Sequence, residues 1–324
     1  MENVLELIRE RRSVRSFDGS ELSAAEKRAL RSFSDSIENP WGRWVEFRLL
    51  DREEHVLSSP VIRGETAYLG AKTAKAPHAE EALGYSFETL MLYALSMGFG
   101  TVWLGGTLDR RAFERAMDLE SDELMPCVSP VGRPAAKMSL RETVMRRGTT
   151  ATSRQSFSEL FFDGDFRRPL SEETAGELLE PLKAVQRAPS AVNRQPWRVV
   201  RCGRAVHFCL RRSLPRGLVS AGDLQKVDLG IALCHFALAA EAVGLSLRFS
   251  LSDPGIRLPA GHEYIASYYL EYASERKAAG RKRSAAFCRR GGPSEPVPRE
   301  ARARRGRPAP CVEKRLERIA AERV

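Results

Sequence analysis

The chain has 324 residues, of which 43% are hydrophobic and 29% are charged. This composition excludes disorder over the whole length and a small disulfide scaffold, and it allows one large domain or two moderate ones. The formal net charge of +10 at first suggests a nucleic-acid-binding protein, but residues 274–324 hold 16 of the 52 basic and 6 of the 42 acidic residues. Residues 1–273 carry 36 of each, so nothing in their net charge attracts them to nucleic acid.

The cysteines and the apolar segments argue against further classes of protein, namely zinc-binding, disulfide-bonded, secreted and membrane-spanning ones. The six cysteines form no CxxC pair and no series of short spacings, so we expect neither zinc nor disulfides, and a reducing, cytoplasmic compartment fits. They are Cys127, Cys202, Cys209, Cys234, Cys288 and Cys311. Residues 1–12 read as an amphipathic helix rather than a secretion signal. The most apolar run, 227–249, contains Asp228, His235 and Glu241, so it predicts a buried helix and not a membrane span.

The first half of the chain is predicted to alternate between helices and strands. Residues 11–15 (RRSVR) precede a helix that begins near Ser23, which is followed three residues later by the glutamate of a capping box. Residues 44–50 contain Trp, Val and Phe and predict a strand. The apolar run from 84 to 98 predicts a central packed helix, and residues 100–104 predict a short strand after it.

The same order of elements recurs about 146 residues later. The glycines that bracket the apolar helix recur at that spacing, as Gly84 with Gly230 and Gly98 with Gly244. The second half also has predicted strands at 197–202, 245–249 and 262–272. Repetition in a fixed order predicts an internal duplication. Two tandem α+β halves would then pair within one chain as identical chains pair in a homodimer, and the protein would be a monomer.

We divide the chain into three regions on these grounds. Residues 1–150 form the first half, residues 151–273 form the second half, and residues 274–324 form a basic tail. The tail is rich in Arg, Ala, Gly and Pro, so it cannot bury enough apolar surface to become ordered, and we expect disorder there. Two interpretations of the tail stay open: an extension without a catalytic role, or an anchor for nucleic acid or anionic lipid.

Several short motifs resemble those of the FMN-dependent nitroreductase superfamily. The resemblance is closest to a branch in which one chain carries both halves of the usual dimer, and it covers roughly residues 1–273. The matching segments are RRSVRSF at 11–17, GFGTVWLGG at 98–106, VGRP at 131–134, APSAVNRQPW at 188–197 and VDLGIAL at 227–233. The resemblance implies a nitroreductase-like α+β fold with an intramolecular pseudo-dimer. It also implies FMN as cofactor, NADH or NADPH as reductant, and a nitroaromatic, quinone or similar small molecule as electron acceptor.

The same resemblance assigns the residues that would bind the cofactor. They are Arg11, Arg12, Ser13, Arg15, Trp103, Leu104, Gly105, Gly106, Lys137, Pro189, Ser190, Ala191 and Asn193. The arginines and the lysine would bind the FMN phosphate, and the strand-end glycines would lie against the flavin near its N5. The Pro-Ser-Ala-Val-Asn turn would hydrogen-bond the ribityl chain or the flavin edge.

Elementary chemistry supports these assignments and leaves an alternative for each. Guanidinium groups suit a phosphate, although Arg11 and Arg12 could also end a solvated helix. Glycines let backbone N–H groups approach a flat ligand closely, although Gly105 and Gly106 are also typical of a plain turn. A turn with a hydroxyl and an amide suits ribityl hydrogen bonds. Lys137 could equally be an ordinary surface lysine.

The two halves differ in a complementary way. When their Pro-Trp pairs are aligned, Phe33 and Ile37 of the first half stand opposite Pro189 and Asn193 of the second. Conversely, the arginine-rich segment of the first half is replaced by residues 154–158 (RQSFS), with a single arginine. We therefore expect one composite site and one FMN per chain, and no contribution to it from that arginine.

Two hypotheses from different classes follow for the function. The first is an FMN-dependent oxidoreductase without a catalytic side chain of its own, because the cofactor performs the redox step. The second is a flavin-binding or degenerate, non-enzymatic module whose basic tail finds nucleic acid or another partner. The five histidines are scattered without partners at telling spacings, and no metal site is predicted.

Overall fold

The structure, a computed structural model, describes residues 3–136, 153–213 and 221–271. These residues form helices packed on two five-stranded, largely antiparallel sheets, so the α+β fold class is confirmed. Lys137 and the tail at 274–324 lie outside the described residues. Among the described helices, none has both the length and the apolar character needed to cross a bilayer.

Seven α-helices lie in the described part of the chain. They are α1 (Val4–Glu10), α2 (Ala24–Ser34), α3 (Ala79–Ser96), α4 (Arg110–Ala116), α5 (Phe157–Leu160), α6 (Leu179–Arg187) and α7 (Leu224–Ala242). The capping box predicted at the start of α2 is present. The Ser23 hydroxyl accepts the Glu26 N–H, and the Glu26 carboxylate accepts the Ser23 N–H. These bonds satisfy backbone donors that a helix start otherwise leaves unpaired.

The strands divide between the two halves of the chain. The first sheet contains β1 (Glu46–Asp51), β2 (Ala67–Ala74), β3 (Gly100–Thr101), β4 (Glu123–Leu124) and β5 (Val128–Gly132). The second contains β6 (Phe161–Asp163), β7 (Trp197–Cys202), β8 (Ala205–Arg211), β9 (Leu247–Ser250) and β10 (His262–Leu270). The sequence did not reveal β2 and β8. Both are buried over all but their last residue, so they lack the alternation that marks a half-exposed strand.

The two sheets share one strand order. The first runs β1-β2-β5-β3 with β4 beside β2, and the second runs β7-β8-β10-β9 with β6 added in parallel beside β7. In each half the long helix, α3 or α7, follows the second strand of this series. The order of elements that repeats in the sequence therefore corresponds to two similarly connected sheets.

Helices α3 and α7 cross at backbone contact in the centre of the molecule. A Cβ at Gly84 would lie 2.2 Å from the Val227 carbonyl oxygen, and a Cβ at Gly230 would lie 2.0 Å from the Glu81 carbonyl oxygen. Both Gly84 with Gly230 and Glu81 with Val227 are 146 residues apart. The two contacts are thus reciprocal, as across a two-fold axis. Only glycine permits this approach, because any other residue would place a Cβ against the opposite carbonyl.

This crossing makes a prediction about stability. Replacing a mid-helix glycine with alanine ordinarily stabilises a protein by about 0.5–1 kcal/mol. At Gly230 the new methyl group would meet backbone, so Gly230→Ala should instead lower the free energy of unfolding by about 1–3 kcal/mol. Urea unfolding measures the difference, with Gly106→Ala as control because a Cβ there meets nothing within 4 Å. An unchanged or higher urea midpoint for Gly230→Ala would contradict the close crossing.

Candidate functional site

The arginine-rich segment lies along the end of the first sheet. After α1 ends, Ser13 forms a parallel bridge to Thr101, and the Val14 N–H donates to the Thr101 carbonyl at 3.0 Å. A Cβ at Gly100 would come within 2.7 Å of the Val14 side chain, so glycine is needed there for the two segments to meet. The backbone that carries the arginines is therefore fixed against β3.

Arg11 is the buried member of this segment. Its side chain is 6% exposed, and its Nε lies 3.8 Å from Oε1 of Glu88. No described residue accepts a hydrogen bond from its Nε or Nη1. Burial lowers the pKa of Arg11, although the charge of Glu88 opposes this effect. A buried guanidinium with unsatisfied donors is costly, and an anionic acceptor would offset that cost.

Arg12 and Arg15 lie nearer to solvent than Arg11. Arg12 is exposed, and with Arg11 it lines a cavity of about 350 Å³ whose described lining residues all come from the first half, among them Phe99 and Pro134. Arg15 is half-buried, and its carbonyl accepts the Arg63 N–H at 3.0 Å. Only Arg11 of the three is thus buried beside α3.

Glu88 connects the arginine segment, the strand end and the second half. Its side chain is fully buried, Trp103 donates its indole N–H to Oε2 at 2.8 Å, and Nε2 of His235 lies 2.9 Å from Oε1. Burial alone would raise the pKa of Glu88, but the His235 hydrogen bond and the charges of Arg11 and His235 lower it overall. Glu88 had no role in our sequence-based expectations, and His235 was expected only as part of a buried helix.

The strand end that follows Trp103 faces the second half. Leu104 pairs with Val128 through two backbone hydrogen bonds, and the Gly105 carbonyl accepts from Arg110 at 2.6 Å. A Cβ at Gly105 would lie 3.0 Å from the Leu224 side chain in α7. Gly106 is exposed, and no described residue accepts a hydrogen bond from the N–H of either glycine. Two backbone donors thus remain available at this position.

The turn between α6 and β7 has an unusual backbone. Val192, Asn193 and Gln195 have φ angles of 45°, 55° and 49°, in the left-handed region that β-branched residues rarely adopt. Val192 is also 74% exposed, so packing does not hold it there. Strained backbone of this kind concentrates at ligand sites, and this turn is the Pro-Ser-Ala-Val-Asn motif that the sequence singled out.

Hydrogen bonds from buried groups hold the turn in place. The Ala191 N–H donates to Oδ1 of Asp228 in α7 at 2.9 Å, and the Gln195 N–H donates to the Ser190 hydroxyl at 2.9 Å. Asp228 is buried, no described residue hydrogen-bonds its Oδ2, and burial raises its pKa well above the usual value. Because Leu224 and Asp228 are one helical turn apart, α7 places the turn and Gly105 along the same part of its surface.

Arg154 interacts with both sets of candidate residues, although we expected no contribution from its segment. It donates to Oδ1 of Asn193 at 2.8 Å and to the Arg187 carbonyl at 3.2 Å. Burial, then the positive charges of Arg11 and Arg187, lower the pKa of Arg154. Arg154 therefore lies close enough to Arg11 and to Arg187 to be affected by the positive charge of each. We expected no contribution from Arg154 because a single arginine in RQSFS gives no sign of its neighbours in the fold.

A model of the family described as "Putative TM nitroreductase" matches residues 3–240 of this chain. The chain belongs to this nitroreductase family. A solved structure of a putative nitroreductase from Thermotoga maritima MSB8 is 19% identical, with a TM-score of 0.54, and the match covers 83% of this chain and 94% of that one. This likeness shows a shared fold.

Two further solved structures match a smaller part of this nitroreductase-family chain. An FMN-dependent nitroreductase from Clostridium difficile R20291 is 14% identical over 41% of this chain and 88% of that one, with a TM-score of 0.36. A nitroreductase family protein from Clostridium novyi NT is 13% identical over 42% and 87%, also with a TM-score of 0.36. No curated protein matches the chain.

The raised pKa of Asp228 gives the nitroreductase-family chain a testable pH dependence. A carboxyl whose folded pKa exceeds its unfolded value of about 3.9 loses stability as pH rises between the two values, by up to about 1.4 kcal/mol per pH unit. Asp228→Asn keeps an oxygen for the Ala191 N–H and removes this ionisation. The variant should therefore gain stability over the wild type as pH rises from 4.5 to 8. Urea unfolding across that range measures it, and a difference that stays constant with pH would contradict a raised pKa.

Proposed function

We propose that this chain is an oxidoreductase that binds one FMN between its two halves and transfers electrons from NADH or NADPH to a small-molecule acceptor. The family membership supports a flavin-dependent oxidoreductase. The observation that carries the proposal is the position of Arg154, which hydrogen-bonds Asn193 at 2.8 Å and is affected by the positive charges of the Arg11 and Arg187 guanidinium groups, an arrangement that an anion would stabilise. The phosphate of FMN is a dianion at neutral pH and would accept hydrogen bonds from such groups.

The residues around this cluster fit the remaining parts of FMN. Arg11 has two buried donors that no described residue satisfies, which suits a phosphate oxygen. The N–H groups of Gly105 and Gly106 would donate to the flavin ring, and Asn193 and Ser190 lie on a turn whose strain is typical of a binding site. When bound, FMN would supply the redox chemistry by accepting hydride from the nicotinamide and passing two electrons to the acceptor.

This chain's own residues would bind and orient rather than transfer protons. Arg11, Arg154 and Asn193 would fix the phosphate end, while Trp103, held by Glu88, would fix the strand end beside the ring. An FMN held at its phosphate and beside the strand end would present one face of its ring for stacking. Reductant and acceptor would therefore use the same position in turn. Ser13 belongs to the same segment, and Arg12 and Arg15 add to its positive charge.

Different side chains occupy the region that corresponds to this site on the other side of the repeat, which supports a single site. Phe33 stacks on Tyr93 with ring centroids 3.8 Å apart, and Trp41 packs on Phe249 at 5.0 Å. Phe249 is the counterpart of Trp103 at that spacing. Aromatic rings therefore occupy the neighbourhood where the first half would have supplied its own turn and the second half its own strand end.

Flavin content tests the binding site. The purified chain should release about one FMN per chain, and both Arg11→Ala and Arg154→Ala should raise the Kd for FMN about 10- to 100-fold, because each removes charge-assisted hydrogen bonds worth about 1.5–3 kcal/mol. Arg167→Ala is the control, since that side chain is 90% exposed and pairs only with Asp165 among the described residues. About two FMN per chain would contradict the single site, and an unchanged Kd in Arg154→Ala would exclude that residue.

Anaerobic spectroscopy tests the reaction. NADH or NADPH should bleach the visible flavin absorbance of the holoenzyme, and a nitroaromatic or a quinone added afterwards should restore it. An FMN-loaded chain that neither nucleotide bleaches would instead support a flavin-binding module without this activity.

A further inference from the structure

Glu88 and His235 form a buried acid–base pair at the centre of the molecule. Both side chains are 0% exposed, and Nε2 of His235 lies 2.9 Å from Oε1 of Glu88. Nδ1 of His235 lies 3.0 Å from the Ala184 carbonyl oxygen in α6. The pair thus sits between α3, α7 and α6, away from water.

The geometry fixes how many protons the pair holds. A carbonyl oxygen can only accept, so Nδ1 of His235 carries a hydrogen. Oε2 of Glu88 accepts the Trp103 N–H. At 2.9 Å, Nε2 and Oε1 need a second hydrogen between them, because two bare acceptors would repel each other. Whether this hydrogen resides on nitrogen or on oxygen, the pair as a whole has no net charge.

This neutrality matters for Arg11, whose Nε is 3.8 Å from the same carboxyl oxygen. With the shared proton in place, the Arg11 charge is not cancelled and can meet an anion. Without the proton, Glu88 would be a full anion beside Arg11 and would compete with any phosphate for it.

The other groups packed around the pair carry no charge of their own. Trp103 follows β3 and donates an indole N–H, and α6 contributes only the Ala184 carbonyl. Cys234 in α7 faces Glu88, and burial raises the pKa of this thiol, so it stays neutral. Outside the pair, the positive charge of Arg11 acts on Glu88 and lowers its pKa.

We propose that Glu88 and His235 are positioning residues that share one buried proton, so that the pair stays neutral and the positive charge of Arg11 remains directed to the anionic end of the cofactor. This inference rests on the proposed function, since it takes the ligand to be FMN. Neither residue touches the reacting atoms. Their effect should appear on the phosphate of FMN and not on the flavin ring.

The chain offers a matched control at the related positions. Thr89 and Cys234 stand at the places that the 146-residue spacing assigns to His235 and Glu88, and their Oγ1 and Sγ atoms lie 3.3 Å apart. Neither the hydroxyl nor the thiol of this contact is charged near neutral pH. Cys234→Ser therefore alters the same helix crossing without altering charge.

The experiment compares the Kd for FMN with the Kd for riboflavin, which lacks the phosphate, at pH 7.5. In His235→Gln the glutamine still donates to Glu88, but the pair becomes negative, so FMN should bind about tenfold more weakly while riboflavin binding is unchanged. Adding Glu88→Gln to that variant removes the charge and should restore FMN binding. Cys234→Ser should behave as wild type. Unchanged riboflavin binding also shows that each variant folds.

Two outcomes separate this inference from the proposed function. If neither flavin binds to the wild-type chain, both fail together. If FMN binds normally but His235→Gln leaves its preference over riboflavin unchanged, or Glu88→Gln does not rescue it, only the inference about the pair is overturned. Nitrogen-15 NMR of the flavin-free chain, with the His235 signal assigned from His235→Gln, provides a second readout. Finding no hydrogen on Nε2 of His235 while Glu88 is ionised would also overturn the inference about the pair.

Discussion

The backbone contact between α3 and α7 brings buried polar side chains from the two halves of the chain together. Gly84 and Gly230 bring the helix axes so close that side chains about one turn further along each helix must meet. Glu88 meets His235 there, and Thr89 meets Cys234. Residues separated by about 146 positions in the chain thus become neighbours across a dry interface, where a charge has a larger effect than at the surface.

The backbone of this interface is nearly symmetric, but its chemistry is not. An acid and a base face each other on one side of the crossing, and a hydroxyl and a thiol face each other on the other. In a dimer of identical chains every residue occurs on both sides of the interface, whereas the two halves of one chain can differ in sequence. One side could therefore acquire buried charge beside Arg11 while the other became an ordinary aromatic and apolar core around Trp41.

The sequence predicted the parts of this structure that depend on local patterns. The capping box at Ser23, the central apolar helices and the repeated glycines are all visible over short stretches, and the structure contains each of them. The roles of Glu88 and Arg154 could not be predicted in this way. The partners of Glu88 and of Arg154 come from distant parts of the chain. Neither a glutamate in an apolar run nor a single arginine in a polar segment identifies such partners. The sequence did not reveal β2 for a related reason. Its apolar and polar residues do not alternate because it is buried on both faces, and this burial is a property of the assembled sheet.

The candidate site combines neighbouring positive charges with strained backbone. Residues 1–273 are balanced in charge, yet Arg154 lies where the positive charges of Arg11 and Arg187 both lower its pKa, and a valine is held at positive φ in the adjacent turn. Like charges and backbone strain persist only where the surrounding structure enforces them. Here the Asp228 carboxyl holds the turn, and the Glu88 carboxylate lies 3.8 Å from Arg11. A ligand that neutralises the arginines would bind only the folded chain, so its binding would stabilise the fold that assembles the site.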